Sequence, residues 1–247
     1  MIRRASVAAL VFVLSACGTV TPPPAGPETV LLRAKAYVGM PSPKPALLPE
    51  FSLYGGGRLL VPGEPEGSLQ VVSEKRLDDQ AVRDVYSAAH GAGLDRDEFV
   101  PDDSGTTDGY LLVFTLYDKE GKRRQVRAEN PSGELAGFRD ELADVAKEAE
   151  TVPKAYRPTR IAAIGWASDS RPAPDARPWP FAPFGTRPVD GGLCVVLEGE
   201  SARRAEDLAK AATPATRWKT ADTSLLVVFR PLLPDEKSCD DLVIPYR

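Results

Sequence analysis

The longest apolar block comes first. Ala5 to Ala16 is a run of small and apolar side chains, with Val7, Leu10, Val11, Phe12, Val13 and Leu14, set behind Arg3 and Arg4. Beyond it the pattern breaks into short runs and stripes. Val30, Leu31 and Leu32 mark a strand within 28–38. Phe51–Tyr54 and Arg58–Val61 are two apolar runs around Gly55, Gly56 and Gly57, which predicts a hairpin. Leu69–Ser73 predicts a further strand. Tyr110–Tyr117 is a strongly apolar strand, turning at 119–122 and returning as Arg123–Ala128. Arg160–Trp166, Leu193–Leu197, Trp218 and Ser224–Arg230 supply the remaining strands.

Between the strands lie three helical stripes. In the first, Val82, Val85, Tyr86 and Ala89 share one face. Asp78 is its N-cap, Leu77 and Val82 form a hydrophobic staple, and Gly91 or Gly93 ends it. The second opens at Asn130 and Pro131, buries Leu135, Phe138, Leu142 and Val145, and runs to about Glu150. The third is capped by Ser201 and buries Ala205, Leu208, Ala209 and Ala212. Hairpins punctuated by helices predict an α+β fold: antiparallel sheets with about three helices packed on one side. A strand–helix–strand order recurs in the two halves, without matching residues.

The first block is too short to cross a bilayer. As a helix it would span about 18 Å, against a hydrocarbon core of about 30 Å. With its basic flank it reads as a secretory signal peptide. Leu14-Ser15-Ala16-Cys17 at its end resembles a bacterial lipobox. That resemblance implies cleavage before Cys17 and a diacylglycerol thioether on its sulfur. The chain then divides into 1–16, a signal peptide; 17–28, the lipidated Cys17 and a proline-rich tether; and 29–247, an extracytoplasmic domain, with sub-domains expected at 29–152 and 159–247. Prolines favour an extended tether, which would hold the domain up to about 30 Å from the membrane. Export also permits a disulfide. Once Cys17 is set aside, Cys194 and Cys239 are the remaining cysteines, so they are expected to pair.

Composition adds exclusions. A net charge of −4 leaves no basic footprint for nucleic acid. There is no Walker motif and no dinucleotide fingerprint, so no cofactor is implied. His90, the single histidine, follows Ser87 by one helical turn; a helix surface with a histidine near its C-terminal end outweighs a nucleophile–base pair. No Gly-x-Ser-x-Gly elbow and no Ser-x-x-Lys occurs. Asp102, Asp103 and Asp108 lack EF-hand spacing and read as a solvated turn, and the acids of the second helix read as its wet face. No catalytic residue and no metal ligand is assigned. The feature that stands out is the loop 172–188, where Trp179, Phe181 and Phe184 lie among prolines. Stiff aromatics of this kind suit contact with an envelope protein or a glycan.

Several of these landmarks recur in order in a group that the chain resembles. They are Phe51-Ser-Leu-Tyr-Gly-Gly-Gly-Arg58, Ala92-Gly93-Leu94, Trp179-Pro180, Cys194, Trp218 and Arg230-Pro-Leu-Leu-Pro234. The group comprises secreted or lipid-anchored actinobacterial proteins of uncharacterised function, and the similarity covers roughly 29–237. The proline, alanine and arginine content fits such a GC-rich source. Where Gly-Asp-Gly is expected in the hairpin turn, this chain has three glycines. The resemblance brings no activity. The expectation is a lipid-anchored module on the extracytoplasmic face of the membrane, binding a ligand or supporting the envelope without catalysis; the rival is a cell-envelope hydrolase.

Overall fold

The computed structural model describes residues 20–38, 48–102, 109–152, 156–169, 174–186, 188–189, 191–221 and 223–243. Cys17 lies outside them, as do Asp103 and Asp108. The first half of the chain builds one sheet from β1 (Val30–Val38), β2 (Phe51–Tyr54), β3 (Arg58–Pro62), β4 (Val72–Arg76), β5 (Glu98–Val100), β6 (Tyr110–Tyr117), β7 (Arg123–Glu129) and β8 (Glu150–Thr151). Their spatial order is β5-β7-β6-β1-β2-β3-β4-β8. The second half builds another from β9 (Arg160–Asp169), β10 (Arg177–Pro178), β11 (Pro188–Val189), β12 (Gly192–Glu198), β13 (Arg217–Lys219) and β14 (Ser224–Pro231), in the order β10-β13-β14-β9-β12-β11. Neighbours are antiparallel except β5–β7 and β10–β13. Helices α1 (Asp79–Gly91), α2 (Gly133–Glu148) and α3 (Gly199–Ala211) complete an α+β architecture with open sheets.

Strand alternation decides which face each helix covers. Leu32, Ala34 and Ala36 of β1, Phe51 and Leu53 of β2, and Leu112, Phe114 and Leu116 of β6 meet Val82, Val85 and Tyr86 of α1 and Phe138 and Leu142 of α2. The intervening residues Arg33, Lys35, Ser52, Tyr54 and Thr115 therefore point from the opposite face. In the second sheet Ile161, Ala163, Leu225, Val227 and Phe229 pack on Ala202, Ala205 and Ala209 of α3. Alanines there let the helix backbone sit close to the sheet. The other face of that sheet, with Ala162, Ile164 and Cys194, packs on Leu232 and Leu242 of the C-terminal segment.

Helix α1 forms as its sequence dictates. The Asp78 carboxylate accepts the Ala81 N–H at 2.8 Å. At the other end Gly93, at φ +76°, closes a Schellman motif: Gly93 N–H donates to His90 O and Leu94 N–H to Ala89 O, both at 3.0 Å. The other two helices start elsewhere than expected. Asn130 sits at φ +43°, and its carboxamide accepts the Tyr110 N–H at 2.8 Å while donating to Asp102 at 2.6 Å. That side chain is committed to the mouth of β6, and α2 begins only at Gly133. Ser201 lies inside the first turn of α3, which begins at Gly199.

The largest departure concerns Leu69. Residues 68–70 do not extend β4; they add to the second sheet beside β14. Gln70 N–H donates to Phe229 O at 2.8 Å and Phe229 N–H to Ser68 O at 2.9 Å. Ser68 N–H also donates to Ala209 O at the end of α3, at 2.9 Å. Gly67 makes this approach feasible. A Cβ there would lie 2.3 Å from Ala212 O and 2.6 Å from Ala209 O, and its φ is +63°. The hairpin tip of one sheet is thus a structural part of the other.

Candidate functional site

A cleft of about 420 Å³ opens on the face of the first sheet away from α1 and α2. Antiparallel register builds its wall. Ser52, Arg33, Thr115 and Gln125 lie in one cross-strand row, and Tyr117 stands opposite Arg123 in the neighbouring pair. Lys35 and Tyr37 continue along β1, with the Lys35 Nζ 4.4 Å from the Tyr37 ring centre. The opposite wall is the C-terminal segment, which brings Asp235, Glu236, Asp240 and Asp241. This segment is wedged between the two sheets.

Buried charge holds the wedge. Arg33 Nη2 donates to Asp235 Oδ1 at 2.7 Å and to the Tyr54 hydroxyl at 2.9 Å; that hydroxyl donates to the same Asp235 oxygen at 2.7 Å. Arg33 Nε donates to Ser52 Oγ at 3.2 Å. One residue on, Glu236 accepts both Arg230 guanidinium nitrogens, at 2.6 and 2.7 Å, and the Leu233 N–H at 2.8 Å. Burial alone would raise the Glu236 pKa. The Arg230 charge and hydrogen bonds, with help from Arg33 and Leu233 N–H, overcome this and bring it to about 2. Burial, above all, keeps the Tyr54 phenol well above the usual range and therefore neutral. Asp241 accepts Lys237 N–H and Ser238 N–H, both at 2.9 Å, and opens the turn 239–242. The wedge is fastened to the second sheet by the Cys194–Cys239 disulfide, with Cα atoms 6.1 Å apart. The pairing expected from the cysteine count is the one present.

The aromatic loop lies elsewhere, on the α3 side of the second sheet. Trp179 is its centre: its ring is 4.6 Å from Phe184, 5.3 Å from Phe181, 5.9 Å from Trp218 and 6.0 Å from Phe229, centre to centre. Its indole N–H donates to Ala182 O at 2.8 Å. Trp179, Phe181 and Phe184 are each half-buried, and the Arg204 guanidinium stands 5.8 Å from the Phe181 ring centre. The three rings thus cover the second core while keeping part of their surface in solvent.

The remaining sequence landmarks serve the framework. Ser87 does not engage His90 as a nucleophile would engage a base. Its Oγ accepts the Val20 N–H at 3.2 Å and donates to Val20 O at 3.4 Å. His90 Nδ1 lies 3.9 Å from Asp95, and its buried Nε2 has no hydrogen-bond partner among the described residues. Asp102 is held by Asn130. Among the described residues no group of three His, Cys, Asp or Glu side chains is arranged to hold a metal ion.

Sequence reasoning missed Arg33, Arg230, Asp235 and Glu236. A signal was present. Arg230 ends the otherwise apolar run of β14, and the acid pair follows within one turn-forming Pro-Leu-Leu-Pro segment. A cation closing a buried strand calls for a nearby anion. Comparison with models of protein families, with curated proteins and with solved structures returned no match.

Proposed function

We propose that this chain is a lipid-anchored extracytoplasmic binding module that takes a polar envelope saccharide into the cleft of the first sheet. The observation carrying this reading is the composition of the wall. Lys35, Arg123, Gln125 and Thr115 supply hydrogen-bonding groups, and Tyr37 and Tyr117 supply rings on which a sugar face can rest. A protein partner would call for a buried apolar centre. Among the described residues the exposed large apolar side chains are Phe99 and Leu193, one on each sheet. The half-exposed rings of Trp179, Phe181 and Phe184 offer a second, smaller contact.

Hydrolysis has less support. A general acid needs a carboxyl whose pKa is raised towards the working pH. Glu236 is shifted the other way, and Asp235 and Asp241 are occupied in holding the wedge. The anchoring part of the proposal rests on the lipobox at Leu14–Cys17.

The test uses the purified lipoprotein in detergent and soluble peptidoglycan fragments, followed by calorimetry. Saturable binding is expected. Arg123→Ala should weaken it about tenfold or more, since a hydrogen bond to a charged group contributes about 1.5–3 kcal/mol, and Tyr37→Ala should weaken it by removing the ring on which the sugar rests. Absence of binding, or binding indifferent to both variants, contradicts the saccharide reading. Fragment cleavage during incubation would decide for the hydrolase.

A further inference from the structure

The proline-rich segment after Cys17 is not a free spacer. From Val20 onwards it is laid against the domain. The Ser87 hydroxyl holds both Val20 backbone groups, and the Val20 and Ala25 side chains pack on the core beneath α1 and α2. Gly55 is shaped for the same segment: a Cβ there would lie 2.0 Å from Ala25 O and 2.4 Å from Gly26 O. Thr29 O then accepts the Gly55 N–H at 3.1 Å, and β1 begins. Only Gly18 and Thr19 separate Cys17 from the docked Val20. Three peptide units reach at most about 11 Å.

We infer that the docked tether sets the domain on the membrane with the α1 side of the first sheet facing the lipid headgroups and the polar cleft facing away from them. The inference rests on lipidation at Cys17. Its geometry comes from strand alternation. Leu32, Ala34 and Ala36 point towards the helices where Val20 is held; Arg33, Lys35 and Tyr37 point from the other face into the cleft. The sheet itself stands between the two. A leash of about 11 Å attached on the helix side draws that face towards the bilayer for as long as Val20 stays on Ser87. The cleft therefore takes its ligand from the envelope space, and a lipid headgroup of the anchoring membrane is out of its reach. Ser87 acts as a positioning residue.

The experiment uses the full, lipidated protein in phosphatidylethanolamine–phosphatidylglycerol vesicles carrying a headgroup-linked dark quencher. One fluorophore is placed at Asp84→Cys, exposed on α1 one turn before Ser87, or at Arg123→Cys, on the cleft rim; the native disulfide is left intact. Vesicle flotation is scored on the same samples. Quenching is expected to be several-fold greater at position 84 than at 123, and Ser87→Ala combined with Val20→Gly should narrow that difference. Protein that floats with equal quenching at the two positions, or with the larger signal at 123, overturns the orientation and leaves the anchor standing. Protein that fails to float overturns the anchor and the orientation with it.

Discussion

Replacing Glu236 by Ala removes the carboxylate that meets both guanidinium nitrogens of Arg230, a side chain at 0 % exposure. It also leaves the Leu233 N–H without its acceptor. Removing one partner of a buried pair costs about 3–5 kcal/mol, because the other charge stays buried without its counter-ion. For a domain of this size each kcal/mol lowers the thermal midpoint by about 2–4 °C, so a fall of roughly 6–20 °C is expected. The pH dependence gives an independent check. The Glu236 carboxyl moves from an ordinary 4.5 to about 2 on folding. A depressed carboxyl stabilises the fold above its unfolded pKa, and that contribution disappears as the pH falls through the folded one. The wild type should therefore lose on the order of 3 kcal/mol between pH 4.5 and 2, and Glu236→Ala should lack this step. Replacing both partners, Arg230→Met with Glu236→Leu, should recover much of the loss, since an apolar pair avoids the desolvation cost. Urea denaturation followed by circular dichroism across this pH range measures all three. A single variant costing under about 1 kcal/mol would refute the argument, as would a double variant less stable than the single one.

Other outcomes follow from the same packing. Gly67→Ala should destabilise by about 3 kcal/mol or more, through left-handed strain and collision with the α3 carbonyls, whereas Gly56→Asp should cost only the left-handed strain, about 1 kcal/mol, in a thermal melt. Gly56 also has positive φ, but nothing lies within 4 Å of its Cβ position. Trp179→Ala should cost about 2 kcal/mol, less than a fully buried tryptophan, because its ring is half in solvent; an unchanged midpoint would show that the loop does not brace the second core. Cys194→Ala with Cys239→Ala should raise hydrogen exchange at 235–242 more than at β9 and β14, and uniform loss of protection would contradict a local role for the bridge.

Local signals were read from the chain and long-range ones were not. Asp78, Leu77, Val82 and Gly93 declare α1 because every group they use lies within a few residues. The two central strands β1 and β6 were legible for a similar reason: each carries enough apolar residues to mark itself. Asn130 and Ser201 carry the right chemistry for a cap, yet tertiary demand moved both helix starts. Asn130 is taken by Tyr110 and Asp102, which lie 20 and 28 residues away in sequence. Leu69 sits in an apolar run that any sheet edge would accept, and the docking of Gly67 on α3 chooses the second sheet. The prolines of the tether speak for extension but are silent about Ser87, 67 residues distant from Val20. The cleft was the least legible feature. Its cross-strand rows arise from register, and its far wall arrives from the C-terminal end of the chain. Even the glycine run at 55–57 gains its meaning there: Gly55 and Gly57 are needed for close approach, whereas Gly56 has room for the aspartate expected at that position.

The claim on which the rest depends is the acylated N-terminus at Cys17. Intact-mass and fragment spectra of the protein taken from the membrane fraction of its own host measure this directly. The account predicts a chain beginning at Cys17 and carrying a diacylglycerol thioether on that residue. A mature chain that begins elsewhere, or an unmodified Cys17, would contradict it.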